Sequence, residues 1–321
     1  MCRRVPARRA AQRPNRIRTR RNIMNTAGTI PSAEDIKRVK GLGFLRDKNT
    51  KDCFNGRVIT RNGKITAAES RAIAEAAERF GNGEIAMTTR LTVEIQHVPY
   101  DNIEPMRAFL KEHGLETGGT GPKVRPVVSC KGTTCQYGLI DTYALSREIH
   151  DKFFIGWHEE RLPHKFKIAV GGCPNNCVKP DLNDIGVIGQ RVPAHDMDKC
   201  RGCKVCQIEK ACPIGASKLG DGKLDFNSEA CNHCGRCYQK CPFGVVGAKV
   251  QGYAVYIGGR WGKRTAMGRK LDRIFTDKDE VLAVIERALT LFRDQGRQGE
   301  RFSDTIARLG FEPVQQQLLA D

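Results

Sequence analysis

The sequence predicts an α+β protein, and three observations carry that prediction. Short apolar strands and amphipathic helices alternate in the order β-α-β-β-α-β between residues 57 and 129. Further strands then lead directly into loops that hold paired cysteines. Near residue 200 the composition shifts to a segment that repeats one cysteine pattern, after which strands and amphipathic helices resume. At 321 residues the chain is long enough for two or three domains with a sizeable core.

Residues 1–23 hold nine arginines and no acidic residue. They show no apolar periodicity with which to bury a face, so a disordered basic tail is expected. Arg20-Arg21 is a twin arginine with no apolar stretch behind it, which argues against an export signal. Met24 is the expected true first residue. The first regular pattern is a strand at Arg57-Val58-Ile59-Thr60 with a turn at Asn62-Gly63. Thr66-Ala67-Ala68-Glu69 forms a capping box for a helix whose apolar positions are Ile73, Ala76, Ala77 and Phe80, and Gly81-Asn82-Gly83 stops it. Strands are expected over 84–88 and 91–98, a helix over 102–113 and a strand over 124–129. This order is that of the ferredoxin-like split unit.

Two cysteine pairs follow, Cys130-Lys131-Gly132-Thr133-Thr134-Cys135 and Cys173-Pro174-Asn175-Asn176-Cys177. A helix over 138–154 and a strand over 166–170 stand between them. Four cysteines in two short loops suit a cubane iron–sulfur cluster, one thiolate for each iron. A structural zinc site or four buried thiols are the alternatives, and spacing alone leaves them open. A strand over 185–189 follows.

From about Pro193 the pattern is sharper. Cys200, Cys203, Cys206 and Cys212-Pro213 are repeated as Cys231, Cys234, Cys237 and Cys241-Pro242. This is the two-cluster bacterial ferredoxin pattern, in which the fourth cysteine of each run ligates the other cluster. The expected sets are therefore Cys200, Cys203, Cys206 and Cys241 for one cluster, and Cys231, Cys234, Cys237 and Cys212 for the other. Twelve of fourteen cysteines are then placed, and Cys2 and Cys53 are read as plain thiols. A strand over 253–257, the loop Gly258-Gly259-Arg260-Trp261-Gly262-Lys263-Arg264, and helices over 277–294 and 301–309 complete the chain.

The neighbours of the first four cysteines resemble a known family. Thr88-Thr89-Arg90-Leu91-Thr92, Val124-Arg125-Pro126-Val127-Val128 and Leu162-Pro163-His164-Lys165-Phe166-Lys167-Ile168-Ala169-Val170, taken with the cysteine pairs, resemble the sirohaem and [4Fe-4S] sulfite and nitrite reductases. The likeness is to their small, ferredoxin-containing type, represented by the catalytic chain of anaerobic sulfite reductase and by the dissimilatory sulfite reductase chains. One departure is visible: that family has five residues between its first two cysteines, where this chain has four. The resemblance implies a ferredoxin-like half-domain over 24–120, a sirohaem and [4Fe-4S] α/β domain over 121–194 and 251–321, and an inserted ferredoxin domain over 195–250. It implies that Cys130, Cys135, Cys173 and Cys177 ligate a cluster, with Cys177 also the axial ligand of sirohaem. Arg90, Arg125, Lys165 and Lys167 match the basic residues around the substrate oxyanion. Gly259, Arg260 and Lys263 match the loop that touches sirohaem carboxylates, and His164 is placed to shape the pocket.

Composition bounds the remaining function classes. No apolar run approaches the roughly 20 residues of a membrane span, and mean hydropathy is -0.46; a cytoplasmic protein is expected. The net charge of +18 suggests nucleic acid at first. Half of that excess lies in residues 1–23, and the 7% of aromatic residues do not interleave with the basic ones, which argues against a single-strand-binding face. The expected function is sirohaem-dependent reduction of sulfite to sulfide. Sirohaem, three [4Fe-4S] clusters and an external electron-donor protein are implied. The same resemblance allows nitrite as substrate, an electron-transfer protein without a working sirohaem site, or a sirohaem-binding protein without turnover. Because the family builds each site across two half-domain arrangements, a homo-oligomer or a pairing with a paralogue is expected.

Overall fold

The computed structural model describes residues 29–320. The expectations for residues 1–23, Arg20-Arg21, Met24 and Cys2 lie outside the described residues. Helix α1 (Ala33–Gly41) starts at a Ser32 capping box and leads into strand β1 (Phe44–Arg46). Strand β2 (Cys53–Val58) and helix α2 (Ala67–Phe80) follow, and α2 carries the Thr66/Glu69 capping box expected from the sequence. Strands β3 (Ile85–Met87) and β4 (Val93–Pro99) and helix α3 (Ile103–Glu112) complete the first layer. The sheet order is β1-β2-β4-β3 with antiparallel neighbours. Its core gathers Phe44, Phe54, Ile73, Ile95, Met106 and Leu110.

One topological expectation needs correction. The run 124–129 does not complete this sheet; the edge beside β2 is taken by β1. Strand β5 (Val128–Ser129) instead pairs in parallel with β6 (Ile168–Gly171). Val127, Val128 and Ser129 are all buried, as befits a strand covered on both faces.

Helix α4 (Thr142–Ile149) lies between β5 and β6. It starts later than residue 138 because the Asp141 side chain accepts from Ala144 N at 3.0 Å and caps it there. A π-helical stretch, His150–Ile155, then carries the helix onward. Strand β7 (Ile185–His195) runs parallel to β6. Between β7 and β10 (Val246–Ile257) stand helix α5 (Gln207–Ala211) and the hairpin β8 (Ser217–Gly220) and β9 (Lys223–Phe226). Strands β7 and β10 pair all the way from His195 opposite Val246 to Ile185 opposite Ile257, longer than their sequence patterns suggest. The cysteine-rich segment 196–245 is thus carried at the end of a two-strand arm. Strand β11 (Arg269–Phe275), helix α6 (Lys278–Gln295), helix α7 (Phe302–Leu309) and helix α8 (Phe311–Leu319) close the chain. The second sheet has the order β11-β10-β7-β6-β5, and its core includes Phe166, Ile168, Val187, Ile285, Phe292 and Phe302.

Candidate oxyanion pocket and thiolate sites

The parallel strands β5 and β6 divide the second domain into two chemically different edges. Arg125, Lys165 and Lys167 precede these strands, whereas Cys130 and Cys173 follow them. At about 3.3 Å per residue, the five residues from Arg125 to Cys130 and the six from Lys167 to Cys173 span roughly 15–20 Å. The cations and the thiols therefore sit at opposite strand ends of one sheet, termed here its basic and thiol edges.

At the basic edge, Arg90 reaches over from the loop between β3 and β4. It donates to Pro126 O at 2.9 Å and to Asn183 Oδ1 at 2.7 Å. Arg125 donates to Gly119 O at 2.6 Å, while its Nε is buried without a partner. Asp184 sits beneath them and is fully buried. Its carboxylate accepts both contacts from Arg301, at 3.0 and 2.9 Å, and the N–H of Lys167 at 2.8 Å. Burial pushes the Asp184 carboxyl up, against the pull of Arg301 and of the Lys167 N–H.

Crowding shows in the titration of the cations. Burial, followed by the charges of neighbouring arginines, lowers Arg90 and Arg125 to about 10. Burial, then Arg90, Arg301 and Lys165, lowers Lys167 to about 8. Lys165 and His164 are lowered by burial and by the same cluster, and His164 Nδ1 accepts the Lys165 N–H at 2.7 Å. Several mutually repelling cations around a single buried carboxylate, with unpartnered Nε donors on Arg125 and Arg301, form a donor set short of negative charge. An oxyanion or a polycarboxylate macrocycle would relieve it.

Sequence reasoning missed Arg301, Asp184 and Asn183. Arg301 stands at the start of α7, far along the chain from the other cations, and no spacing marks it. The loop matched to the macrocycle carboxylates is partly committed elsewhere. Arg260 is paired with Asp304 at 2.9 Å, and Lys263 is exposed. A Cβ on Gly259 would stand 2.3 Å from Asp181 O and 2.4 Å from Asn183 O, so this glycine lets the loop press onto the backbone that carries Asn183.

At the other edge, Cys130 Sγ accepts the Gly172 N–H at 3.1 Å. A Cβ on Gly132 would come within 2.8 Å of Gly172 Cα, so the two cysteine loops touch through glycine backbone. Burial raises the Cys173 thiol, and the nearby Cys130, Cys177 and Cys135 raise it further. The four predicted thiols thus converge, with Cys177 the exposed one. In the segment 196–245, Cys237 is pushed up to about 11 by burial and by Cys231, Cys234 and Cys212. Cys200, Cys203, Cys206 and Cys241 line a separate cavity. The fourth cysteine of each run therefore stands with the first three of the other. Among the described residues, no three His, Cys, Asp or Glu side chains converge tightly enough for a single metal ion. Thiols gathered in fours fit a polynuclear iron–sulfur group, whose iron holds them all as thiolates. Cys53 is buried alone, and burial raises its thiol.

Comparison with known proteins gives this arrangement a family. The nitrite and sulphite reductase 4Fe-4S domain matches residues 120–321, and the nitrite/sulfite reductase ferredoxin-like half domain matches residues 46–113. The chain belongs to the nitrite and sulphite reductase family. This reductase-family chain is 34% identical over 246 residues to the coenzyme F420-dependent sulfite reductase of Methanocaldococcus jannaschii. The match covers 76% of the chain but 38% of that protein, so the chain spans about two-fifths of that relative's length. It is 31% identical over 243 residues to one of the subunits of the anaerobic sulfite reductase of Salmonella typhimurium, covering 70% of each. The solved structure of dissimilatory sulfite reductase I shares the fold, with a TM-score of 0.68 at 19% identity over 87% of this chain and 76% of that one. No helix among the described residues is long and apolar enough to cross a membrane.

Proposed function

We propose that the protein is a sirohaem-dependent sulfite reductase that converts sulfite to sulfide. The observation that carries this reading is the cationic pocket of Arg90, Arg125, Lys165 and Lys167 around buried Asp184. The sulfite reductases among its relatives favour sulfite over nitrite.

Arg90 and Arg125 hold the oxyanion with charge-assisted hydrogen bonds, their forks fixed by Pro126 O, Asn183 and Gly119 O. Each oxygen of sulfite leaves as water, so protons must reach the substrate along with electrons. Lys167, with an ammonium that titrates near 8, is suited to deliver them close to neutral pH, and Lys165 stands beside it. Arg301 and Asp184 position these groups from below. Sirohaem, when bound, presents the substrate sulfur to a source of single electrons. Cys130, Cys135, Cys173 and Cys177 would hold one [4Fe-4S] cluster, and Cys177 would also help to hold the sirohaem. Gly259, Arg260 and Lys263 would lie along the macrocycle edge. The segment 196–245 would act as an inserted ferredoxin with its clusters on Cys200, Cys203, Cys206, Cys241 and on Cys231, Cys234, Cys237, Cys212. Electrons then arrive from a donor protein.

The opposite-edge arrangement supports a partner. Cations and thiols roughly 15–20 Å apart along β5 and β6 do not meet on one substrate, so a complete site joins the thiol edge of one copy to the basic edge of another copy or a paralogue. The test is anaerobic turnover of the purified protein with reduced methyl viologen, with sulfite consumed and sulfide formed counted together. Stoichiometric sulfide is expected. Bound sirohaem without sulfide formation would overturn the reading. Co-expressing Cys177→Ser and Arg90→Met chains tests the pairing: a mixed homodimer regains one site, giving about a quarter of normal turnover if chains mix freely.

A further inference from the structure

The segment 196–245 has two unlike faces. Its Cys231 run leans on the second domain: Arg191 of β7 bridges to Cys234 and donates its N–H to His233 O at 2.8 Å. Cys234 and Cys173 line the same cavity. This is the side toward the thiols that follow β6.

The Cys200 run faces away. Cys203 is exposed, and beside it Val205 and Phe243 are 51% and 48% exposed although apolar. Both line the cavity of Cys200, Cys203, Cys206 and Cys241. The charged residues inside the run 200–206, Arg201 and Lys204, are both cationic and both exposed. Lys223 is a third exposed cation, next along the chain to Leu224, whose N–H donates to Cys200 Sγ at 3.4 Å. Across 196–245, eight Lys and Arg outnumber six Asp and Glu. The neighbouring carboxylate Asp196 is tied to Lys199 at 2.8 Å.

From this polarity we propose that a small acidic electron-carrier protein docks on the Cys200/Cys203 face, through Arg201, Lys204 and Lys223 around an apolar centre of Val205 and Phe243. The proposal rests on the reductase reading above and adds the direction of electron flow: the Cys200/Cys241 group receives electrons, and the Cys231/Cys212 group hands them on toward Cys173. An apolar centre ringed by charge is the form that such a contact takes, and the charges set its rate of encounter.

The experiment uses the full-length holoprotein and two donors, a reduced acidic two-cluster bacterial ferredoxin and reduced methyl viologen. Stopped-flow reduction is followed for the wild type and for Arg201→Glu/Lys204→Glu. The ferredoxin rate is expected to fall about tenfold or more and to lose most of its dependence on salt. The methyl viologen rate is expected to stay within about twofold, because a small dye needs no shaped and charged face. Lys223→Glu, on the β9 side, should slow ferredoxin alone by a smaller factor. An unchanged ferredoxin rate in both variants overturns the docking face while leaving the reductase reading intact. A loss with both donors also overturns it, since the effect would then lie within the clusters. A wild type that takes no electrons from methyl viologen overturns the reductase reading, and the docking proposal with it.

Discussion

Replacing Asp184 by Asn tests whether the pocket is organised from beneath. The carboxylate is fully buried, Arg301 is 5% exposed, and both Arg301 contacts are shorter than 3.1 Å. The amide keeps one acceptor but loses the charge, which leaves a buried guanidinium facing Arg125, Lys165 and Lys167. Removing one member of such a pair costs about 3–5 kcal/mol. At about 2–4 °C for each kcal/mol in a domain of this size, the midpoint should fall by roughly 6–20 °C. Thermal unfolding of the wild type and of Asp184→Asn at matched cofactor content measures it. Adding Arg301→Met should recover part of the loss, because the orphaned charge goes with it. A fall of less than about 2 °C, or a double variant weaker than Asp184→Asn, would refute the reasoning. The same substitution removes an anion that holds Lys167 up, so the Lys167 ammonium should titrate below its present value of about 8.

Four further outcomes are expected. Lys167 titrates near 8 when folded and near about 10.4 when unfolded; the unfolded chain therefore binds the extra proton between those values, and stability should rise with pH across that window. Urea titrations from about pH 7.5 to 10 should show this rise, reduced in Lys167→Gln. Sulfite binding near pH 8 should take up a proton, since the anion raises Lys167; calorimetry in two buffers of different ionisation heat reads the uptake. Gly259→Ala drives a methyl into Asp181 O and Asn183 O, so it should cost about 1–3 kcal/mol in denaturant unfolding and weaken sulfite binding through Asn183 and Arg90. Cys241→Ser and Cys212→Ser should each remove one cluster signal by paramagnetic resonance: the first that of the Cys200 group, the second that of the Cys231 group, as crossed ligation requires.

The sequence by itself determined much of this protein, because its chemistry lies in short patterns. Local signals placed α2, whose capping box and apolar stripe are complete within about fifteen residues, and set the cysteine groupings through their repeat. Arg90, Arg125, Lys165 and Lys167 became legible only by resemblance, since a lone basic residue in a strand-end loop has no signature of its own. Tertiary structure decided the rest. Residues 124–129 read as the last strand of the first unit; the buried parallel partner β6 assigned them to the second sheet. The β7–β10 arm extends further than its apolar alternation because the partner strand supplies the hydrogen bonds. Arg301 and Asp184 meet across 117 residues of chain, a pairing that no local pattern encodes. The separation of cations from thiols was equally invisible in one dimension. Five or six residues look adjacent in sequence, but an extended strand places them at opposite ends of a sheet's strands.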